Sequence, residues 1–238
     1  LSKSDKEELI RSEPSAIKYI KPFISAHEFL NGFERFCLWL VDCDPTEIKK
    51  MPLVMQRIEN VRAMRLKSKK AATVQWANRP TLFTENRQPN SNYILIPSHS
   101  SENRNYIPMG LFCKDDIAAN SCLIIPNGGL FHFAILMSKM HMAWVKTVCG
   151  RLKSDFRYSA NIVYNNYPWP ENLNETQKSV IEEAAQRVLD CRAEFPNSSL
   201  ADLYDPLTMP PSLTAAHNNL DRVVDLAYRP QPFLNDAK

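Results

Sequence analysis

Apolar and polar positions along the chain change period from block to block, and each block predicts an element. Residues 5–24 read as a short helix ending near Pro22, and the run Phe36–Val41 reads as a buried strand. Asp44 then stands as N-cap before Pro45, opening a helix with Ile48, Met51, Met55, Ile58 and Val61–Met64 at helical spacing. A polar loop follows at Asn86–Asn92. Three strand-like runs come next, Tyr93–Pro97, Tyr106–Cys113 and Ser121–Pro126, the first two joined by the polar loop 98–105. Leu130–Val148 predicts an apolar helix central to the core, and Gly150–Ser159 a polar loop. Asn161–Asn165 predicts a last strand, ended rigidly by Tyr167-Pro-Trp-Pro170. Beyond it Asn174 and Gln177 form a capping pair for a helix, and Leu213–Tyr228 repeats an apolar stripe. The pattern is α/β (α+β) with a small all-helical C-terminal part.

Composition narrows the class. Hydrophobic residues at 44% and charged residues at 23% exclude disorder and collagen. Only 5 glycines among 238 residues leave no phosphate-cradling loop, which argues against Rossmann and P-loop enzymes. The apolar stretch from Leu130 is too short and too polar to span a bilayer, and no signal peptide is visible. A first residue of Leu rather than Met suggests a piece of a longer protein. The 6 cysteines lack patterned spacing and read as buried free thiols.

Charge is uneven. Residues 1–170 carry a net +8 and residues 171–238 a net −5. The basic excess is densest from Arg57 to Arg79, and Lys146, Arg151, Lys153 and Arg157 form a second cluster. Such a split suggests a polyanion-binding first part, against the plainer reading of a solvated helix face.

Candidate catalytic patterns fail on geometry. Asp42 with Glu47-Ile48-Lys49 resembles a metal-dependent nuclease signature, but Glu47 and Lys49 sit two apart on a first helical turn and face away from each other. Asn165-Asn166-Tyr167-Pro168-Trp169-Pro170 lacks the adjacent prolines of an amino-methyltransferase motif. The histidines show no metal-ligand spacing. The two polar loops remain. Ser100–Asn105 and Arg151–Tyr158 hold the side chains that read base edges and grip phosphates. Lys153 and Asp155 lie two apart, so in an extended loop they project on the same side. A lysine donates to guanine and a carboxylate accepts from cytosine, so the pair can span one G·C base pair; the plainer alternative is a local ion pair.

Long motifs carry a resemblance: Arg35-Phe-Cys-Leu-Trp-Leu, Ser101-Glu-Asn-Arg-Asn-Tyr-Ile-Pro, Met140-His-Met-Ala-Trp and Gly150-Arg-Leu-Lys-Ser-Asp-Phe-Arg-Tyr-Ser. Ile162-Val-Tyr-Asn-Asn-Tyr-Pro-Trp-Pro and Leu200-Ala-Asp-Leu-Tyr-Asp-Pro-Leu-Thr-Met-Pro extend it over almost the whole chain. The sequence resembles the C-terminal third of MmeI-like DNA methyltransferases, single-chain restriction–modification enzymes and their methylase-only relatives. The resemblance implies a DNA target recognition domain at 1–168, with 1–24 a lead-in helix or linker, and a C-terminal helical domain at 169–238.

It also implies a double-stranded DNA recognition module, itself non-catalytic and without cofactor or metal. The partner would be the catalytic methyltransferase domain of the same polypeptide. That parent would be an S-adenosylmethionine-dependent, adenine-specific methyltransferase, bacterial and cytoplasmic, with no membrane association. In that family the two positions flanking the Ser of the hairpin motif read one base pair beside the methylated adenine, and some members carry Glu then Arg. Lys153 and Asp155 would then specify G, with Arg151 and Arg157 holding the backbone. From the residues themselves, Asn103 and Arg104 suit base edges or phosphates, base reading ranking ahead, and Lys67, Lys69 and Lys70 at the basic helix end, with Ser154 and Tyr158, suit the DNA backbone. The alternative function is a protein-interaction or assembly domain whose basic surface is incidental.

Overall fold

The computed structural model describes residues 1–231 and Phe233. In chain order the elements are α1 (Lys3–Ser12), β1 (Ile20–Ile24), α2 (Ala26–Asn31), β2 (Phe36–Leu38), α3 (Pro45–Ile48), α4 (Pro52–Leu66) and α5 (Ala71–Gln75). There follow β3 (Tyr93–Pro97), β4 (His99–Ser100), β5 (Gly110–Phe112), β6 (Ile117–Ala118) and β7 (Cys122–Pro126). The rest are α6 (Leu130–Leu136), α7 (Lys139–Val148), β8 (Gly150–Leu152), β9 (Asp155–Arg157), α8 (Glu175–Ala193), α9 (Leu200–Leu203) and α10 (Pro211–Tyr228). Helices and short strands mix as the α/β (α+β) expectation requires, and the C-terminal part is helical.

The chain forms two compact units. One comprises residues 1–24, 34–88 and 115–117. Its sheet has the order β2-β1-β6, with Ile20 opposite Leu38 and Pro22 opposite Phe36 in an antiparallel pair. Leu9, Ala16, Tyr19, Leu40, Ile48, Met51, Val54 and Ile58 make its core. Two expectations change here. The helix over 5–24 stops at Ser12, and the chain continues through a 3-10 turn into β1. Pro14 imposes the stop because it cannot donate the next helical bond. The helix from Pro45 breaks at Met51, since Pro52 starts α4 afresh. No side chain of the adjacent residues caps α4; Glu13 does so from a distance, its carboxylate accepting from the backbone N–H groups of Leu53 and Val54.

The other unit comprises residues 25–33, 89–114 and 118 onward. β3 is its central strand, flanked antiparallel by β5 and β7, with Tyr93 opposite both Phe112 and Pro126. All five β3 residues are buried, as a continuous apolar run demands. A second sheet, β4-β9-β8, holds His99 opposite Arg157 and Gly150 opposite Arg157. Leu130–Val148 is two helices, parted where the Ser138 hydroxyl oxygen caps α7 by accepting from His141 N–H. Asn161–Asn165 is not a strand. Ala160–Tyr164 is a π-helical turn, capped by Ser159 and held by Trp144, whose indole N–H donates to the Val163 carbonyl at 2.9 Å.

α8 and α10 pack on each other and on α6. Their apolar stripes, Ile181, Ala184, Ala185 and Val188 on one and Leu213, Leu220, Val223 and Val224 on the other, join a core that begins at Ile94. The C-terminal helices therefore share one hydrophobic interior with β3, β7, α6 and α7.

Candidate nucleic-acid interface

The expected loop at Gly150–Ser159 is a hairpin. Leu152 pairs with Asp155, leaving Lys153 and Ser154 as a two-residue turn. Lys153 has φ 56°, the left-handed region that two-residue hairpins use to match strand twist. Glycine or asparagine is the common occupant there, and a lysine costs about 1–2 kcal/mol. The turn also changes the geometry expected of the reading pair. Alternation of faces holds within a strand, whereas Lys153 is directed by its left-handed backbone and only Asp155 by β9.

Within β9 the alternation is plain. Phe156 is buried in the core, while Asp155 and Arg157 stand exposed on the opposite face. Arg151 braces the turn: its Nη1 donates to the Ser154 carbonyl at 2.8 Å and its guanidinium lies 3.9 Å over the Phe156 ring. The same group pairs with Glu102 at 3.9 Å. Ser154 and Arg157 are exposed.

Pairing of Ser100 with Phe156 brings the second polar loop alongside. The Glu102 N–H donates to Asp155 Oδ1 at 3.3 Å, and the Ser101 hydroxyl and carbonyl oxygens accept from the N–H groups of Asn103 and Arg104. Asn103 is exposed; Arg104 is half-buried, and burial lowers its pKa against the opposing pull of the Asp205 and Asp155 carboxylates. Thus Asn103, Arg104, Lys153 and Asp155 lie at one end of the β4-β9-β8 sheet.

Tyr158 lies elsewhere. It is buried, and its hydroxyl is hydrogen-bonded to His141 Nε2 at 3.0 Å, so it cannot reach a phosphate as expected. His141 is held on its other side too, Nδ1 donating to the Leu136 carbonyl at 2.8 Å. Burial pushes its pKa down to about 4, which keeps it neutral. Its role beneath the hairpin left no signal at sequence level beyond a histidine on an apolar helix.

The basic stretch of the other unit is built differently. Lys67, Lys69 and Lys70 follow α4 and are exposed, with no ion pair among the described residues. Arg65 is buried, and its guanidinium donates to the carbonyls of Trp76, Arg79 and Leu82 at 2.7–2.9 Å. It is a strut for the segment after α5, not a free cation. Arg62 pairs with Glu59 at 3.8 Å and Arg57 with Asp5 at 3.7 Å.

Among the described residues, no group of three or more His, Cys, Asp and Glu is placed to hold a metal ion, and no helix is long and apolar enough to cross a membrane. Of the cysteines, Cys37, Cys122, Cys149 and Cys191 are buried, and Cys113 is exposed.

Comparison with known proteins places these features in a family. The family model described as MmeI, target recognition domain matches residues 1–171, and MmeI, C-terminal domain matches residues 173–238. DNA methyltransferase A of Bacillus subtilis (strain 168) is 44% identical over 229 residues, covering 96% of this chain and 26% of the relative. The solved structure of the Type IIL restriction-modification enzyme MmeI in complex with DNA superposes with TM-score 0.92 at 43% identity, covering 100% of this chain and 32% of that one. The chain spans between a quarter and a third of the length of these relatives. On the match over residues 1–171, it belongs to the MmeI target recognition domain family, followed by the MmeI C-terminal domain.

Proposed function

We propose that this chain is the sequence-specific double-stranded DNA recognition module of an S-adenosylmethionine-dependent adenine methyltransferase of the restriction–modification type. The observation that carries the reading is the meeting of Asn103, Arg104, Lys153 and Asp155 at one end of one small sheet. The turn needs a positive φ at position 153 but not a lysine; glycine or asparagine would serve there without the strain. A similar protein bound to DNA and a relative named as a DNA methyltransferase support it. The methyl donor and its binding residues belong to a neighbouring catalytic domain of the same cytoplasmic polypeptide, and no residue of this chain is assigned to them.

Lys153 donates to the N7 and O6 acceptors of guanine, and Asp155 accepts from the N4 amino group of the paired cytosine. Asn103 and Arg104 read neighbouring base edges. Lys67, Lys69 and Lys70, with Ser154 and Arg157, hold phosphates and carry no sequence information. Arg151 is already committed to the turn, so its contribution to backbone contact is secondary to bracing Lys153. The division at 168/169 separates the residues that touch DNA from helices that support them.

Duplex binding by the full-length protein, measured across a salt series with cognate and single-base-substituted DNA, tests the reading. Affinity falls steeply with salt on every duplex, and the cognate stays tighter throughout. Equal affinity for all duplexes, or affinity indifferent to salt, would overturn it.

A further inference from the structure

The loop bearing Asn103 and Arg104 continues into Tyr106-Ile-Pro-Met109, which is buried. Both ends of that stem are gripped by the C-terminal helices. The Tyr106 hydroxyl donates to Asp221 Oδ2 at 2.7 Å, and its ring stacks on His217, one turn earlier on α10, at 4.0 Å. The other oxygen of Asp221 accepts from the Lys139 N–H at 2.7 Å, fixing the carboxylate against the first turn of α7. At the far end of the stem, Arg192 of α8 donates from Nη1 to the Met109 carbonyl at 2.7 Å. Its Nε donates to the Tyr204 hydroxyl at 2.7 Å, which in turn donates to His217 Nε2 at 2.8 Å. One connected network thus runs from α8 through Tyr204 and His217 to the stem, with Asp221 beside it.

A network of this kind is a poor way to gain stability. Asp221 is 7% exposed, and burial raises its pKa, so the folded chain bears the cost of a desolvated carboxylate. Apolar residues of the same volume would hold the helices on the core as well or better. Directional bonds supply something else: they fix the position and rotation of Tyr106 and Met109, and so the anchor from which the five residues 101–105 span to β4. The opposite end of that span is fixed to β9 by the pairing of Ser100 with Phe156. Base discrimination demands donors placed to within a fraction of an ångström by supporting groups.

We propose that Tyr106, Asp221 and Arg192 are positioning residues for base discrimination, through which the C-terminal helices set the reading loop. This rests on the DNA-recognition reading above, and the test separates the two. The recognition sequence of the full-length protein is first mapped from its methylated adenines. Binding is then measured on cognate and single-base-substituted duplexes for the parent, Tyr106→Phe, Asp221→Asn and Arg192→Lys, beside thermal unfolding of each. Tyr106→Phe keeps the ring and its stacking, so it folds even where Asp221→Asn does not. The expected result is a loss of about tenfold in discrimination, confined to the positions read by Asn103 and Arg104. The salt slope stays unchanged, and Tyr106→Phe stays folded at the binding temperature although it melts below the parent, because the buried Asp221 carboxylate loses one hydrogen bond. Discrimination equal to the parent's in Tyr106→Phe and Arg192→Lys overturns the proposal and leaves the DNA reading standing. A parent that does not discriminate overturns both.

Discussion

Two basic regions of this chain treat their charges in opposite ways. At the end of the β4-β9-β8 sheet, side-chain contacts brace the backbone of the hairpin and of the loop beside it. Asp155 accepts from the Glu102 N–H, and Arg151 bonds the Ser154 carbonyl across the turn and pairs with Glu102. After α4 the exposed lysines 67, 69 and 70 have no such supports, and the best-held cation of that stretch, Arg65, is buried. Side chains carried on a braced backbone suit contacts that must fall on particular base atoms. Untethered lysines keep their freedom and suit phosphates, which repeat along the strand and tolerate imprecise placement. On the proposed reading, abundance of positive charge is a poorer guide to base recognition than how firmly the backbone carrying it is braced.

The largest expected effect sharpens the contrast by removing the supports from below. His141 sits under the hairpin through Tyr158, and His217 stacks on Tyr106 at the end of the loop 101–105. Burial depresses both, to about 4 and about 3, so the folded chain holds them neutral. An unfolded chain takes up these protons near the ordinary histidine value of 6.5. Stability is therefore complete above about 6.5 and is lost as pH falls from there through about 4 for His141 and about 3 for His217. By the depression of His141 alone the loss reaches about 3 kcal/mol. Urea unfolding at several pH values between 7.5 and 4.5 checks this, and a flat profile contradicts it.

Next in size is Lys153→Gly. If the lysine occupies its strained backbone for the sake of a base contact, glycine raises stability by about 1 kcal/mol and removes discrimination at one base pair. Thermal melting together with duplex binding reads both. A stability gain with unaltered discrimination would make the hairpin tip structural, like Arg65.

The smallest effect on the fold comes from Lys67→Ala, Lys69→Ala and Lys70→Ala combined. Melting stays within about 0.5 kcal/mol of the parent, because these side chains hold nothing. Affinity falls about equally on cognate and non-cognate duplexes, and the salt slope flattens by about 1 for each phosphate that a lysine no longer grips. A loss confined to the cognate would put base readers in the untethered region and break the comparison.

Much of the scaffold was legible in the sequence wherever one local cause decides. The apolar run Tyr93–Pro97 is a strand with those bounds, and Asn174 and Gln177 form the capping box that opens α8. Asp44 caps the helix at Pro45. Elements set by distant partners were not legible. Lys153-Ser154 carries no glycine or asparagine to announce a two-residue turn, so the hairpin depends on Phe156 in the core and Arg151 across the turn. Asn161–Asn165 has strand-like residues, yet Ser159 and Trp144 wind it into a π-helical turn. Of the candidate base-reading residues, side-chain chemistry picked out Asn103 and Arg104 and the motif resemblance supported Lys153 and Asp155, but nothing in their spacing said that the two loops adjoin. The supports had a faint signal. His217 and Asp221 fall on the same stripe of α10 as Leu213, Leu220 and Val224, and polar residues on a buried stripe need buried partners.

The proposal that side chains on this braced hairpin read single base pairs is tested by exchanging the charges of one pair. In the full-length protein, Lys153→Glu is combined with Asp155→Arg, and methylated adenines are mapped across a host genome. The account predicts a recognition sequence changed at one position beside the methylated adenine, from G to C, with every other position retained. An unchanged sequence, or one altered at several positions, would contradict it.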